Sequence, residues 1–159
     1  MTYRVMTVCT GNICRSPMAE IVLRSRFAAA GLDVVVDSSG ISDEEQGNPV
    51  DRRARAVLAA HGYATGDGHH ARQVLASDLP SRDLVLAMTS QHFRALERLG
   101  GAPVMYRSFD PTADAPDVDD PWYGGPENFE HCLDEIEAAA DGVVDAVRAA
   151  LAARDATPA

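Results

Sequence analysis

The sequence contains no lysine, and its fourteen basic residues are all arginine, against twenty-four acidic residues. The formal net charge is therefore −10. Nucleic-acid backbones are held mainly by basic surfaces, so this charge argues against nucleic-acid binding. An anionic substrate would need a local positive site on an otherwise acidic chain.

Long apolar runs are also missing. No stretch of about 18 apolar residues occurs, so we expect no membrane span and no membrane partner. The N-terminus has no basic region followed by an apolar run and a small-residue cleavage site, so we predict no signal peptide. The expected compartment is the cytoplasm.

Cysteine is scarce, with three residues at positions 9, 14 and 132. An odd number without a predicted signal peptide argues against a disulfide framework. The sequence has no CxxC pair and no HExxH motif, and the adjacent His69 and His70 lack other ligands nearby in sequence. We therefore predict no metal and no cofactor.

What the sequence does contain is an alternation of strand and helix patterns over 159 residues, a single-domain length. Strands are predicted up to Cys9 and at 34–36, 84–88 and 104–106. A helix with Ser16 as N-cap and Pro17 at its first position should run to about Gly31. Further helices are predicted at 51–61, between Thr89 and Gly100, and at 129–151. Loops should cover 38–50, 63–82 (with one short helix) and 107–125.

This alternation predicts an α/β fold of three layers, with a four-stranded parallel sheet flanked by helices. The predicted domain spans 1–154, followed by a flexible tail at 155–159. In such sheets, ligands bind beyond the carboxyl ends of the strands. Cys9 lies at such an end.

The segment from Cys9 to Pro17, CTGNICRSP, carries the chemistry. Cys9 ends a strand and Arg15 starts a helix, with five residues between them. A loop of that size can wrap a tetrahedral anion with inward N–H groups, aided by the helix dipole. Arg15 can grip two phosphate oxygens with its planar fork. These residues therefore predict a phosphate-binding loop between the first strand and the first helix.

The same positive field should favour the thiolate form of Cys9, which would lie below the phosphorus for in-line attack. Ser16 can donate a hydrogen bond to the sulfur. The alternative is that Cys9 is a small buried hydrophobe, but a polar turn with glycine, asparagine and arginine is a poor core. The prediction is hydrolysis of phosphate monoesters with Cys9 as the nucleophile.

The leaving oxygen also needs a proton, and Asp120 is the candidate general acid. Pro121 biases Asp120 toward an extended backbone, and Trp122 and Tyr123 supply aromatic surface beside it. Taken alone, this segment is more typical of a solvated acidic turn.

Two motifs together resemble the low-molecular-weight protein tyrosine phosphatases. The segment VCTGNICRSPMAE from Val8 to Glu20 is similar to that family's signature, and Asp120-Pro121-Trp122-Tyr123 is similar to its acid loop. The similarity spans the chain from Tyr3 to about Arg154. It implies the same four-stranded parallel fold, no metal, phosphotyrosine proteins or peptides as partners, and inorganic phosphate as product and inhibitor.

The resemblance also implies residue roles. Cys9 would form a cysteinyl-phosphate, Arg15 would bind the phosphoryl group, and Asp120 would act as acid and then as base. The remaining implied site residues are the loop residues Thr10, Gly11, Asn12, Ile13, Cys14 and Ser16, the loop supports Ser38 and His69, and the cleft residues Ile13, Glu44, Trp122 and Tyr123. Cys14 matches the family's resolving cysteine.

Alternatives within the superfamily stay open. Many relatives have an aromatic residue where this chain has Glu44 and Glu45, which places an acidic wall in the cleft. The stretch 84–89 resembles the arginine-phosphatase branch, although that branch usually has threonine at the position of Ile13. An arsenate reductase would need further cysteines, and Cys132 on a helix is more typical of a core. A non-enzymatic phosphoprotein-binding module would not need both an activated cysteine and an acid loop.

Overall fold

The computed structural model describes residues 1–157. Its sheet has four strands, β1 (Tyr3–Cys9), β2 (Val34–Gly40), β3 (Leu84–Ala87) and β4 (Val104–Met105). The strand order is β2-β1-β3-β4, and every pair is parallel. The predicted four-stranded parallel sheet is therefore confirmed.

Four α-helices cover the sheet: α1 (Arg15–Ala29), α2 (Arg52–Ala60), α3 (Ser90–Arg98) and α4 (Pro126–Ala156). Short 3-10 helices lie at Ala76–Ser81 and Tyr106–Phe109. No helix within residues 1–157 is long and apolar enough to cross a membrane.

Strand β1 has an apolar cluster on each of its faces, which is why its sequence reads as an almost continuous apolar run. Val5 and Cys9 belong to the larger cluster, which includes residues of α1, α2 and α4. Met6 and Val8 belong to the smaller cluster, which includes Leu96 of α3. The sheet is therefore the middle layer of three, as predicted.

The second strand is longer than predicted. It continues through Ser38 and Ser39 to Gly40, pairing with β1 as far as Cys9. Polar residues and glycine have weak strand propensity, so only the long-range pairing reveals this extension. The prediction that the loop begins at Ser38 was wrong.

The helix boundaries also shift. Helix α1 begins at Arg15 with Cys14 as N-cap, and the prediction that Ser16 caps the helix was wrong. The Ser16 side chain instead contacts the sulfur of Cys9. At the other end of the chain, α4 extends to Ala156, beyond the predicted boundary at 154. Residues 158 and 159 of the predicted tail lie outside the described part of the chain.

Candidate active site

The loop between β1 and α1 folds tightly at the carboxyl edge of the sheet. Asn12 has a left-handed backbone with φ of 61°. Gly40, at the end of β2, pairs with Cys9, and a Cβ atom there would lie 2.5 Å from the Thr10 carbonyl oxygen. The glycine therefore lets the loop lie directly against the neighbouring strand.

Asn12 is fully buried and uses its side chain to connect three segments. Its Nδ2 donates to Ser16 Oγ and Ser38 Oγ, both at 2.9 Å. Its Oδ1 accepts the N–H of Arg72 at 3.0 Å. The Asn12 carbonyl accepts from His69 Nε2 at 2.8 Å. Ser38 and His69 thus contact the loop directly, and their effect on turnover stays a prediction.

Ser16 lies beside the sulfur of Cys9. The Ser16 Oγ is 3.0 Å from Cys9 Sγ and 3.2 Å from the carbonyl oxygen of Ser39. Asn12 donates to the Ser16 Oγ, so the single hydroxyl proton of Ser16 can be given either to the Ser39 carbonyl or to the sulfur of Cys9. In the thiolate form that nucleophilic attack needs, the Cys9 sulfur could accept a hydrogen bond from this hydroxyl.

Arg15 is buried and reaches across the cleft to the loop that carries Asp120. Its Nη1 donates to the carbonyl oxygen of Val118 at 3.2 Å, and its Nη2 lies 3.5 Å from Asp120 Oδ2. Asp120 Oδ1 accepts the backbone N–H of Trp122 at 3.1 Å. The three predicted catalytic residues therefore line one cleft, and the Asp120 side chain is 48% exposed at its mouth.

A buried histidine that the sequence analysis missed lies behind the loop. Burial, followed by the charge of Arg15, lowers the pKa of His92 to about 3. Its Nδ1 lies 3.1 Å from the Thr89 amide nitrogen and must accept, so Nε2 carries the proton and donates to Thr10 Oγ1 at 2.8 Å. A neutral imidazole thus fixes the Thr10 hydroxyl. Its only sequence signal was a polar residue inside α3.

The other two thiols are buried. Burial, with smaller effects from Asp51 and Cys9, raises the pKa of Cys14 well above its ordinary value. Burial also raises the pKa of the Cys132 thiol on α4. Both should therefore remain neutral at pH 7, consistent with the expectation that Cys132 belongs to the core.

The cleft above Cys9 has a volume of about 220 Å³. The loop, including Ile13, forms its floor, and Glu44, Glu45, Trp122 and Tyr123 also line it. Glu45 Oε2 accepts a hydrogen bond from Asn48, whereas Glu44 is exposed. The acidic wall predicted from the sequence therefore faces the cleft.

One group of side chains has metal-like spacing within residues 1–157. Asp119, His131 and Glu135 bring donor atoms within 4.8 Å of one another. Glu135 already pairs with Arg107 at 2.7 Å and accepts the N–H of Asp119 at 3.2 Å, while His131 pairs with both acids. Glu135 therefore already has partners within the protein, and these contacts connect α4 to the residue before Asp120.

Comparison with known proteins identifies the family. The family model for low molecular weight phosphotyrosine protein phosphatases matches residues 4–153. A low molecular weight protein-tyrosine-phosphatase of Streptomyces coelicolor is 49% identical over 158 residues, covering 93% of this chain and 95% of that protein. The low molecular weight protein-tyrosine phosphatase A of Mycobacterium tuberculosis is 44% identical, covering 93% of both chains.

Solved structures agree. The crystal structure of YfkJ from Bacillus subtilis matches with a TM-score of 0.87 and 31% identity, over 93% of this chain and 96% of that one. The YwlE arginine phosphatase matches with a TM-score of 0.81 and 28% identity, over 91% and 95% of the two chains. The fold, the loop and these similarities together show that the chain belongs to the low molecular weight protein-tyrosine phosphatase family of hydrolases.

Proposed function

We propose that this protein hydrolyses phosphotyrosine in proteins or peptides through a covalent cysteinyl-phosphate on Cys9. The observation that carries the proposal is the convergence of Cys9, Arg15 and Asp120 on one cleft. A nucleophile, an anion-binding cation and a proton donor are the three groups that a phosphate-monoester hydrolase without a metal requires.

In the first step, the Cys9 thiolate attacks phosphorus, an S–P bond forms and the P–O ester bond breaks. Asp120, protonated, gives its proton to the departing phenolic oxygen. Arg15 and the N–H groups of the loop bind the three remaining phosphoryl oxygens as charge shifts onto them. The Ser16 hydroxyl supports the sulfur before the attack.

In the second step, Asp120, now a carboxylate, removes a proton from water. The water oxygen attacks phosphorus, the S–P bond breaks and the electron pair returns to sulfur. Ser16 then stabilises the departing thiolate by the same hydrogen bond. Inorganic phosphate is released, and because it fits the same loop it should inhibit competitively.

Substrate choice depends on the cleft walls. Trp122 and Tyr123 offer an aromatic surface for a phenyl ring, and Ile13 on the floor favours phosphotyrosine. Phosphoarginine is the second candidate, supported by the structural similarity to the YwlE arginine phosphatase and by exposed Glu44, whose charge suits a guanidinium. From the sequence we still expect that the protein is cytoplasmic and that its substrates are proteins or peptides.

The test is kcat/KM on matched phosphotyrosine, phosphoarginine and phosphoserine peptides, with arsenate reduction measured alongside. We expect the phosphotyrosine peptide to be preferred by at least about tenfold, a difference of about 1.4 kcal/mol. A preference for phosphoarginine, or reduction of arsenate, would overturn the assignment.

The matched control is Cys9→Ser, which removes the nucleophile and leaves the loop and Arg15. Because a hydroxyl is a far weaker nucleophile at neutral pH, turnover should be lost while vanadate or phosphate still binds. Retention of more than a few per cent of wild-type kcat would exclude Cys9 as the nucleophile.

A further inference from the structure

Arg53, in the first turn of α2, lies outside both the phosphate-binding loop and the acid loop, yet all three of its guanidinium nitrogens are engaged. Its Nε and Nη2 donate to the two carboxylate oxygens of Asp51 at 3.1 and 3.2 Å. Its Nη1 donates to the carbonyl oxygen of Trp122 at 2.9 Å.

The same guanidinium also contacts two aromatic rings. It lies 5.0 Å from the ring centre of Trp122 and 4.7 Å from that of Phe129. Cations at these distances are attracted to the faces of aromatic rings. Phe129 is buried in the core on α4, whereas Trp122 in the cleft is partly exposed. The stack of Trp122, the Arg53 guanidinium and Phe129 therefore connects the cleft to the core.

Asp51 connects this stack to the catalytic loop. Its backbone N–H donates to the carbonyl oxygen of Ile13 at 2.8 Å. Its carboxylate accepts the backbone N–H of Arg53 at 2.8 Å and so caps α2. A continuous set of contacts therefore runs from the floor of the cleft through Asp51 and Arg53 to Trp122 on its wall.

We propose that Arg53 is a positioning residue that sets the preference for aryl esters by holding the Trp122 ring in the cleft wall. The inference rests on the proposed phosphatase function, since it concerns the substrate group that faces this wall. Arg53 is not among the residues that line the cleft above Cys9, whereas Cys9 and Arg15 are.

Arginine is required by this geometry. A planar guanidinium can pair with a carboxylate in two places, donate to a carbonyl and stack on rings at the same time, whereas an ammonium is a point charge. The backbone N–H of Trp122 also donates to Asp120 Oδ1 at 3.1 Å. Displacement of Trp122 should therefore weaken binding of the aromatic group first and disturb the general acid second.

The first measurement reports on the exposure of the Trp122 ring and needs no turnover. Trp122 is the only tryptophan of the chain, so intrinsic fluorescence reports on this ring alone. In Arg53→Ala and Arg53→Lys, we expect acrylamide to quench that fluorescence about twofold more strongly, because the ring loses a covering group. Unchanged quenching in both variants would overturn the idea that Arg53 holds the ring.

The second measurement reads specificity. Benzylphosphonate and methylphosphonate share the charged group and differ in the aromatic ring, and neither is hydrolysed. We expect the affinity ratio of the two, measured as competitive inhibition or by calorimetry, to fall about three- to tenfold in both Arg53 variants, the size expected for one aromatic contact. A ratio equal to wild type would overturn the role in specificity, even if quenching changed.

Arg55 supplies the matched control on the same helix. It pairs at 2.7 Å with Asp67, whose side chain is 79% exposed, whereas the hydrogen bond and the cation–π contact to Trp122 come from Arg53. Arg55→Ala and Arg55→Lys should leave both readouts unchanged. Because fluorescence and phosphonate binding need no turnover, a failure of the phosphatase assay would bear on the proposed function and not on the Trp122 contact.

Discussion

At the scale of single residues, the three cysteines differ by surroundings and not by burial. Cys9, Cys14 and Cys132 are all buried. Within residues 1–157, Cys9 and Cys14 both line the cleft, but of the three sulfurs only that of Cys9 has a hydroxyl within hydrogen-bond distance. The chemistry of the site therefore depends on which thiol has donors around it.

Asp120 is the residue whose role can be separated from the nucleophile's. We predict that Asp120→Ala lowers kcat/KM for phenyl phosphate about 10²- to 10⁴-fold, the usual contribution of general acid catalysis. The loss should be much smaller for a nitrophenyl ester, because its leaving group needs less protonation. The measurement is a series of aryl phosphates of graded leaving-group pKa.

Asp119→Ala is the control, since its side chain points to His131. Equal losses for good and poor leaving groups in Asp120→Ala would contradict the assignment. A leaving-group dependence in Asp119→Ala would move the acid to that residue.

Cys14 should protect Cys9 from irreversible oxidation. We predict that mild peroxide links Cys9 and Cys14 in a disulfide and that thiol treatment restores activity. The raised pKa of the Cys14 thiol adds a condition: as a buried thiol it attacks slowly, so disulfide formation should accelerate as pH rises.

Peptide mapping after peroxide checks the linkage, and recovery of Cys14→Ser checks its purpose. That variant should recover less activity than wild type, whereas Cys132→Ser should recover fully. Full recovery of Cys14→Ser would exclude the protective role.

At the scale of elements, the helices were predictable where one apolar face recurs. Steps of three and four in the α4 sequence predict one buried face, and its members Phe129, Leu133, Ile136, Ala140, Val144 and Val147 are buried. Leu151, predicted on the same face, is only partly buried near the end of the helix. Thr89 caps α3 and Asp51 caps α2 through local side-chain hydrogen bonds, which sequence spacing reveals.

The structural features that the sequence did not predict depend on partners far along the chain. The polar end of β2 is a strand because it pairs with β1, and the Nε2–H of His92 finds its acceptor in Thr10, which lies 82 residues away in sequence. Arg53 lies 69 residues from the carbonyl it binds. Local propensity carries no information on such pairs, whereas the loop motif, being contiguous, could be interpreted directly.

The buried histidine of α3 makes stability depend on pH. The pKa of His92 falls from an ordinary 6.5 to about 3 in the folded protein, so only the unfolded chain takes up its proton between these values. This contribution is complete above pH 6.5 and is lost as pH falls. The loss should approach about 1.4 kcal/mol per pH unit, or about 2 kcal/mol at pH 5.

Urea unfolding at pH 7 and pH 5 measures this effect, with His92→Asn as the variant that removes the titrating group. The drop in unfolding free energy between the two pH values should be about 2 kcal/mol smaller in His92→Asn than in wild type. His131→Asn, on an exposed part of α4, serves as the control. An identical drop in wild type and His92→Asn would contradict the prediction.

At the scale of the whole molecule, the chain has a net charge of −10, yet its proposed substrate is an anion. Glu44 extends this charge to the edge of the cleft. We predict that phosphotyrosine peptides with basic flanking residues have lower KM than acidic ones at low ionic strength. Exposed charges are screened, so the preference should be a few-fold and should fade as salt is added.

Two variants test the contribution of Glu44. Glu44→Trp should lower KM for simple aryl phosphates by a few-fold, because it adds a second aromatic wall. Glu44→Gln should reduce the dependence on flanking charge, whereas Glu97→Gln, on α3 and outside the cleft, should not. KM values that do not change with flanking charge, salt or either Glu44 variant would refute the role of Glu44 in peptide preference.

The segment before Asp120 is fastened at several points. The Val118 N–H donates to the carbonyl of Met88 at 2.8 Å, its carbonyl accepts from Arg15, and Asp117 caps the first turn of α3 through Ser90. Turnover should therefore need no large closing movement of this segment. An enzyme gated by a slow lid would lose speed in viscous solvent. This one should keep its rate of chemistry when sucrose is added, with only substrate arrival and product departure slowed.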